Sequence, residues 1–128
     1  MTSEPTAHPY RADAVFVEHR PWGDFQQFVA NEAVTVKIIT VLPGRRLSLQ
    51  RHAHRQEMWH VVDGSAWTFV DGVERTHQAG ERVLVGVGAM HRLGNPGSTP
   101  LRVLEIAFGH FDEADIERFD DDHARPTA

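Results

Sequence analysis

The sequence predicts an all-β fold, a double-sheet antiparallel jelly roll with one short helix near its C-terminus. Three observations predict it. Residues alternate with a period of two, most clearly where Val34, Val36, Ile38, Thr40 and Leu42 share one face and Thr35, Lys37, Ile39 and Val41 the other. Turn signals recur at short intervals, at Pro43-Gly44, Asp63-Gly64, Asp71-Gly72 and Asn95-Pro96-Gly97. Helical character is confined to Glu113 to Phe119, with Asp112 placed as its N-cap. Val15 and Val17 begin the strand pattern. After residues 34–42, strands are expected over Leu47 to His54, Met58 to Val62, Ala66 to Val70, Val73 to His77, Arg82 to Val85, His91 to Leu93 and Leu101 to Phe108. Many short strands broken by such turns suit a sandwich or barrel.

A chain of 128 residues is long enough for one core and too short for two. Its polar, Pro-punctuated start reads as a flexible arm over residues 1–13, followed by a β-barrel domain over 14–119 and a flexible acidic tail over 120–128. A net charge of −5 argues against nucleic acid and anionic membrane surfaces as partners. With no cysteine, neither disulfides nor thiolate chemistry is available. The first residues lack the apolar stretch of a signal peptide, and no apolar run is long enough to span a bilayer, so a cytoplasmic protein is expected.

Nine histidines are a high count for this length. His52 and His54 stand two apart, so on one strand both imidazoles would leave the same face. Glu57 follows closely, and His91 lies in a glycine-punctuated stretch from Gly80 to Asn95. His60 has the wrong parity and is expected to point away. Two His and one Glu from one hairpin, with one His from another, are borderline nitrogen and oxygen donors suited to a divalent transition metal.

Gly44, His52, His54, Glu57 and Gly64 resemble the first motif of the cupin superfamily, and Gly80, Gly88, His91 and Asn95 its second. The resemblance implies a double-stranded β-helix holding one metal (Zn, Mn, Co, Ni or Fe) through His52, His54, Glu57 and His91. Spacers that depart by a residue or two from the common form leave Gln50 an alternative donor on the face of His52. Arg20-Pro21-Trp22-Gly23, Leu47-Ser48-Leu49-Gln50 and His91-Arg92-Leu93-Gly94-Asn95-Pro96-Gly97 are further similar to the cupin domain of type II phosphomannose isomerases. So are Asp115-Ile116, Arg118, Asp121 and Arg125. Met58, Ala107, Phe111 and His123-Ala124 stand where that family usually has polar or aromatic hydroxyl groups, or Tyr-Gly.

This resemblance implies interconversion of mannose 6-phosphate and fructose 6-phosphate through a cis-enediol, with a sugar phosphate as partner molecule and a homodimer as the assembly. Isomerisation requires a base near C1 and C2, for which Lys37, Glu105 and His110 are candidates. Arg55 is a candidate for holding phosphate or stabilising an enediolate, and Arg118 and Arg125 for binding phosphate. Trp22 is a candidate substrate contact. Two other readings remain: a cupin metalloenzyme of other chemistry, such as an oxygenase, and a cupin that binds a sugar phosphate or other small acid without turning it over.

Overall fold

A computed structural model describes residues 14–112 and 114–123; the expected arm and residues 124–128, Arg125 among them, lie outside the described residues. The described strands are β1 (Phe16–Arg20), β2 (Gly23–Gln27), β3 (Val34–Val41), β4 (Leu49–Arg51), β5 (Arg55–Asp63), β6 (Ala66–Val70), β7 (Val73–His77), β8 (Arg82–Val85), β9 (His91–Gly94), β10 (Leu101–Gly109) and β11 (Glu117–Asp120). β1 and β2 pair as a hairpin, while the other strands form two sheets, β3-β10-β5-β8 and β11-β4-β9-β6-β7. All described pairings are antiparallel. The all-β jelly roll expected from the alternation is the fold observed. No helix among the described residues is long and apolar enough to cross a membrane.

Parity along β3, β5 and β10 decides what faces inward. Ile39, Val103 and Val61 lie in one row across the three strands, and Lys37, Glu105 and Trp59 in the next. The apolar members of this face pack with Val41, Val85, Leu93 and Leu101 into the main core. Complete burial of one such side chain contributes about 1.5–3 kcal/mol. The reverse face carries Met58, Ile106 and Phe108, against which Phe28, Val29 and Val34 pack. His60 lies on this reverse face, its ring 4.9 Å from that of Phe28, as its parity requires. The Asp71-Gly72 turn joins β6 to β7 with φ of 47° and 84°, the left-handed geometry a tight hairpin demands.

Two local expectations are corrected. Residues 113–119 do not form a helix among the described positions; Glu117–Asp120 is a strand paired with β4. Asp112 does cap a turn, accepting from the Ala114 amide at 2.9 Å, and its carbonyl accepts from Asp115. Beyond it, the Asp115 carboxylate accepts from the Ala53 and His54 amides. The strand expected from Leu47 to His54 is likewise cut short: β4 stops at Arg51, and Ala53 and His54 form a bend. β2 was not foreseen, since Gly23-Asp24-Phe25-Gln26-Gln27 has little strand propensity; pairing with β1 and the Phe16–Phe25 contact hold it.

Buried Arg92 fastens the C-terminal strand. Its Nε donates to the Leu47 carbonyl, Nη1 to Asp120 and Nη2 to Asp122. Arg46 donates to Asp122 as well, at 2.6 Å, and this hydrogen bond is the first cause holding the Asp122 carboxyl below its ordinary value. Asp115 is held low too, first by the Ala53 amide. A carboxyl depressed on folding stabilises above its unfolded pKa and loses that stabilisation as pH falls through the folded value. Urea unfolding should therefore show stability falling as the pH drops below about 4, with a shallower slope for Asp122→Asn.

Candidate metal centre

Three buried side chains converge between the two sheets. His52 follows β4, His91 opens β9 in the same sheet, and Glu57 lies in β5 of the facing sheet. One donor atom from each falls within 4.8 Å of the others. His52 Nδ1 lies 3.5 Å from Glu57 Oε2, and His91 Nε2 lies 3.9 Å from Glu57 Oε1. The two imidazole centroids are 4.8 Å apart.

Surrounding groups fix each donor. His91 Nδ1 donates to the Ala89 carbonyl at 2.9 Å, which leaves the Nε2 lone pair facing the cluster. Burial is the first cause holding the His91 pKa below its ordinary value, so the ring is neutral, the form that binds metal. Gln50 pairs directly with His91 across the β4–β9 ladder. Its amide nitrogen donates to Ser48 Oγ at 2.9 Å, which turns Oε1 toward His52 Nε2, 3.0 Å away. Arg55 Nε donates to Glu57 Oε2 at 3.0 Å, with both side chains almost wholly buried. Two imidazoles, a carboxylate and an oriented amide oxygen fit a divalent cation of borderline character.

Beside the cluster lies a cavity of about 240 Å³, lined in part by Lys37, Gln50, His52, Arg55, Glu105 and Arg118. Glu105 is the unusual member. Burial first, and then the charge of Glu57 and a hydrogen bond with it, push its pKa up to about 7. The Trp59 indole donates to its Oε2 at 3.3 Å. Phe111 bears two cations, Lys37 Nζ at 4.3 Å and the Arg55 guanidinium at 4.2 Å from its ring centroid. Such contacts draw both charges toward the ring.

Several sequence expectations fall elsewhere. His54 does not share a face with His52: the bend at 53–54 leaves it exposed and outside the cluster. His110 is exposed and does not line the cavity. Trp22, 74% exposed in the turn between β1 and β2, does not line it either. Lys37, Arg55, Glu105 and Arg118 do meet there. Of the family departures, Met58 faces the reverse side of its sheet and so changes nothing in the cavity. Sequence reasoning gave no role to Ser48 or Asp115. For Asp115 the signal was present in the motif but was absorbed into a presumed helix.

Two sheets closing on a buried His-Glu-His cluster define a cupin barrel with a centre able to hold a metal ion. Residues 11–121 match the family described as mannose-6-phosphate isomerase C-terminal, and the chain belongs to that family. It is 41% identical over 108 residues to the mannose-1-phosphate guanylyltransferase ManC of Salmonella typhimurium, covering 84% of this chain and 22% of that protein. Against the alginate biosynthesis protein AlgA of Pseudomonas aeruginosa the identity is 40%, with 84% and 22% covered. The chain thus spans about a fifth of the length of the curated relatives it matches. Among solved structures, the capsular polysaccharide assembling protein CapF of Staphylococcus aureus aligns with a TM-score of 0.64 at 20% identity, covering 83% of this chain and 34% of that one. A double-stranded β-helix protein from Klebsiella pneumoniae aligns with a TM-score of 0.61 at 20% identity, covering 73% and 80%. These likenesses establish the fold.

Substituting Arg55→Met leaves buried Glu57 without its guanidinium, a change that costs about 3–5 kcal/mol when a buried pair is broken. A bound cation compensates the same carboxylate. Urea unfolding should therefore show a larger loss in chelator than in excess zinc.

Proposed function

We propose that this barrel is a metal-dependent sugar-phosphate isomerase interconverting mannose 6-phosphate and fructose 6-phosphate. One observation carries the reading: a single cavity joins the metal-type cluster, the buried carboxyl of Glu105 and the cations Lys37, Arg55 and Arg118. Family membership supports it.

Bound at His52, Glu57 and His91, with Gln50 as a fourth donor, a divalent cation would supply polarisation of the substrate's carbonyl and hydroxyl oxygens. Glu105 takes the proton from C2 of the aldose and returns it to C1, while the hydroxyl proton at O2 passes to O1. The product is the ketose and the carboxylate is regenerated. Lys37, opposite Glu105 in the β3–β10 register, donates to the oxygens of the enediol. Arg118, exposed at the rim, holds the phosphate. The hydrogen bond from Arg55 orients the Glu57 carboxyl.

Zinc-, manganese- or cobalt-loaded protein should convert mannose 6-phosphate and, in deuterated water, incorporate deuterium into fructose 6-phosphate at C1. Glu105→Gln should lower kcat by about 10²–10⁴-fold while metal content is kept. Saturable sugar-phosphate binding with no exchange of the carbon-bound proton would reject the isomerase and leave a binding cupin. Consumption of oxygen with iron alone would identify an oxygenase.

A further inference from the structure

The bend that removes His54 from the cluster is held by its partners. Asp115 places one carboxylate oxygen on the Ala53 amide and the other on the His54 amide, each at 3.0 Å. On the opposite side, the His54 carbonyl accepts from the His110 amide at 3.2 Å. It also lies so close to Gly109, at φ +111°, that a Cβ there would sit 2.6 Å from the oxygen. The His54 peptide is therefore engaged at both its N–H and its C=O by the segment 109–115. Were β4 to continue through residue 54, His52 and His54 would share a face and both would look into the barrel. The gripped bend prevents this, while Ser48 holds Gln50 toward His52.

We propose that Asp115 selects the donor set of the metal centre: by chelating the amides of Ala53 and His54 it keeps the His54 imidazole out and leaves the fourth place to the amide oxygen of Gln50. This rests on the reading of His52, Glu57 and His91 as metal ligands, but not on the isomerase activity. An amide oxygen in place of a third imidazole makes the site harder, which weakens it for zinc and nickel relative to manganese. Asp115 is thus a positioning residue that sets metal preference from outside the coordination sphere. Its own place is fixed by the turn in which the Asp115 amide donates to the Asp112 carbonyl at 2.9 Å.

The test counts metal-bound imidazoles and measures metal preference, neither of which requires turnover. Long-range ¹⁵N–¹H NMR of the zinc-loaded protein should show two metal-bound histidines, and His54→Ala should change zinc affinity by no more than about twofold. Asp115→Ala should recruit a third imidazole and raise the zinc-to-manganese affinity ratio by about tenfold or more. The double variant with His54→Ala should return to two imidazoles. Asp115→Asn, which keeps shape but can accept only one amide, should lie between, and supplies the comparison if the alanine variant does not fold. Three bound histidines in the wild type, a large loss of zinc affinity in His54→Ala, or an unchanged ratio in both Asp115 variants would overturn the proposal. Failure to take up any divalent cation would overturn it together with the metal reading. Absence of isomerisation would leave it standing.

Discussion

Burial of charge between two sheets is the constraint to which the rest of this barrel answers. His52, Arg55, Glu57, His91 and Glu105 are all buried, in a region where an unpaired charge is expensive. The interior meets that demand by mutual contact. Arg55 lies on Glu57, Glu105 takes the Trp59 indole and a hydrogen bond with Glu57, and His91 spends one nitrogen on a backbone carbonyl. A divalent cation is the natural completion of this arrangement, since it neutralises the carboxylate and uses the remaining lone pairs of the imidazoles. The apolar core made by Val61, Leu93, Val103 and their neighbours supplies the low-dielectric wall against which these contacts gain strength.

The C-terminal segment does two jobs through one set of contacts. β11 adds an edge to the sheet that carries His52 and His91, and Arg92 and Arg46 hold its aspartates. The residues just before it grip the 53–54 bend and bring Phe111 between the cavity's cations, Lys37 and Arg55. Fold stability and site geometry are therefore coupled through the described residues of this segment.

Much of the barrel was legible beforehand because burial imposes a period of two. The strands over 34–41, 66–70, 73–77 and 82–85 agree with the pattern of their side chains, as does the outward face of His60. The β-hairpin partner at 23–27 was not legible, since its pairing comes from tertiary contact and not from its own composition. Residues 113–119 looked helical because Asp112 is a good cap, yet a strand edge on β4 and the 53–54 amides outcompeted further turns. In the site, His52, Glu57 and His91 followed from residue type and spacing. His54 was misplaced by the same reasoning, since parity holds only while a strand continues and this one stops at Arg51. Gln50 was visible as an alternative donor, whereas the Ser48 contact that orients it was not.

Crystals grown with zinc and examined at the metal's absorption edge test the central claim most directly. The account predicts one anomalous peak between the sheets, about 2.0–2.2 Å from a nitrogen of His52, a nitrogen of His91 and an oxygen of Glu57. A peak held by surface histidines alone, with that gap filled only by the Glu57–Arg55 pair and water, would contradict it.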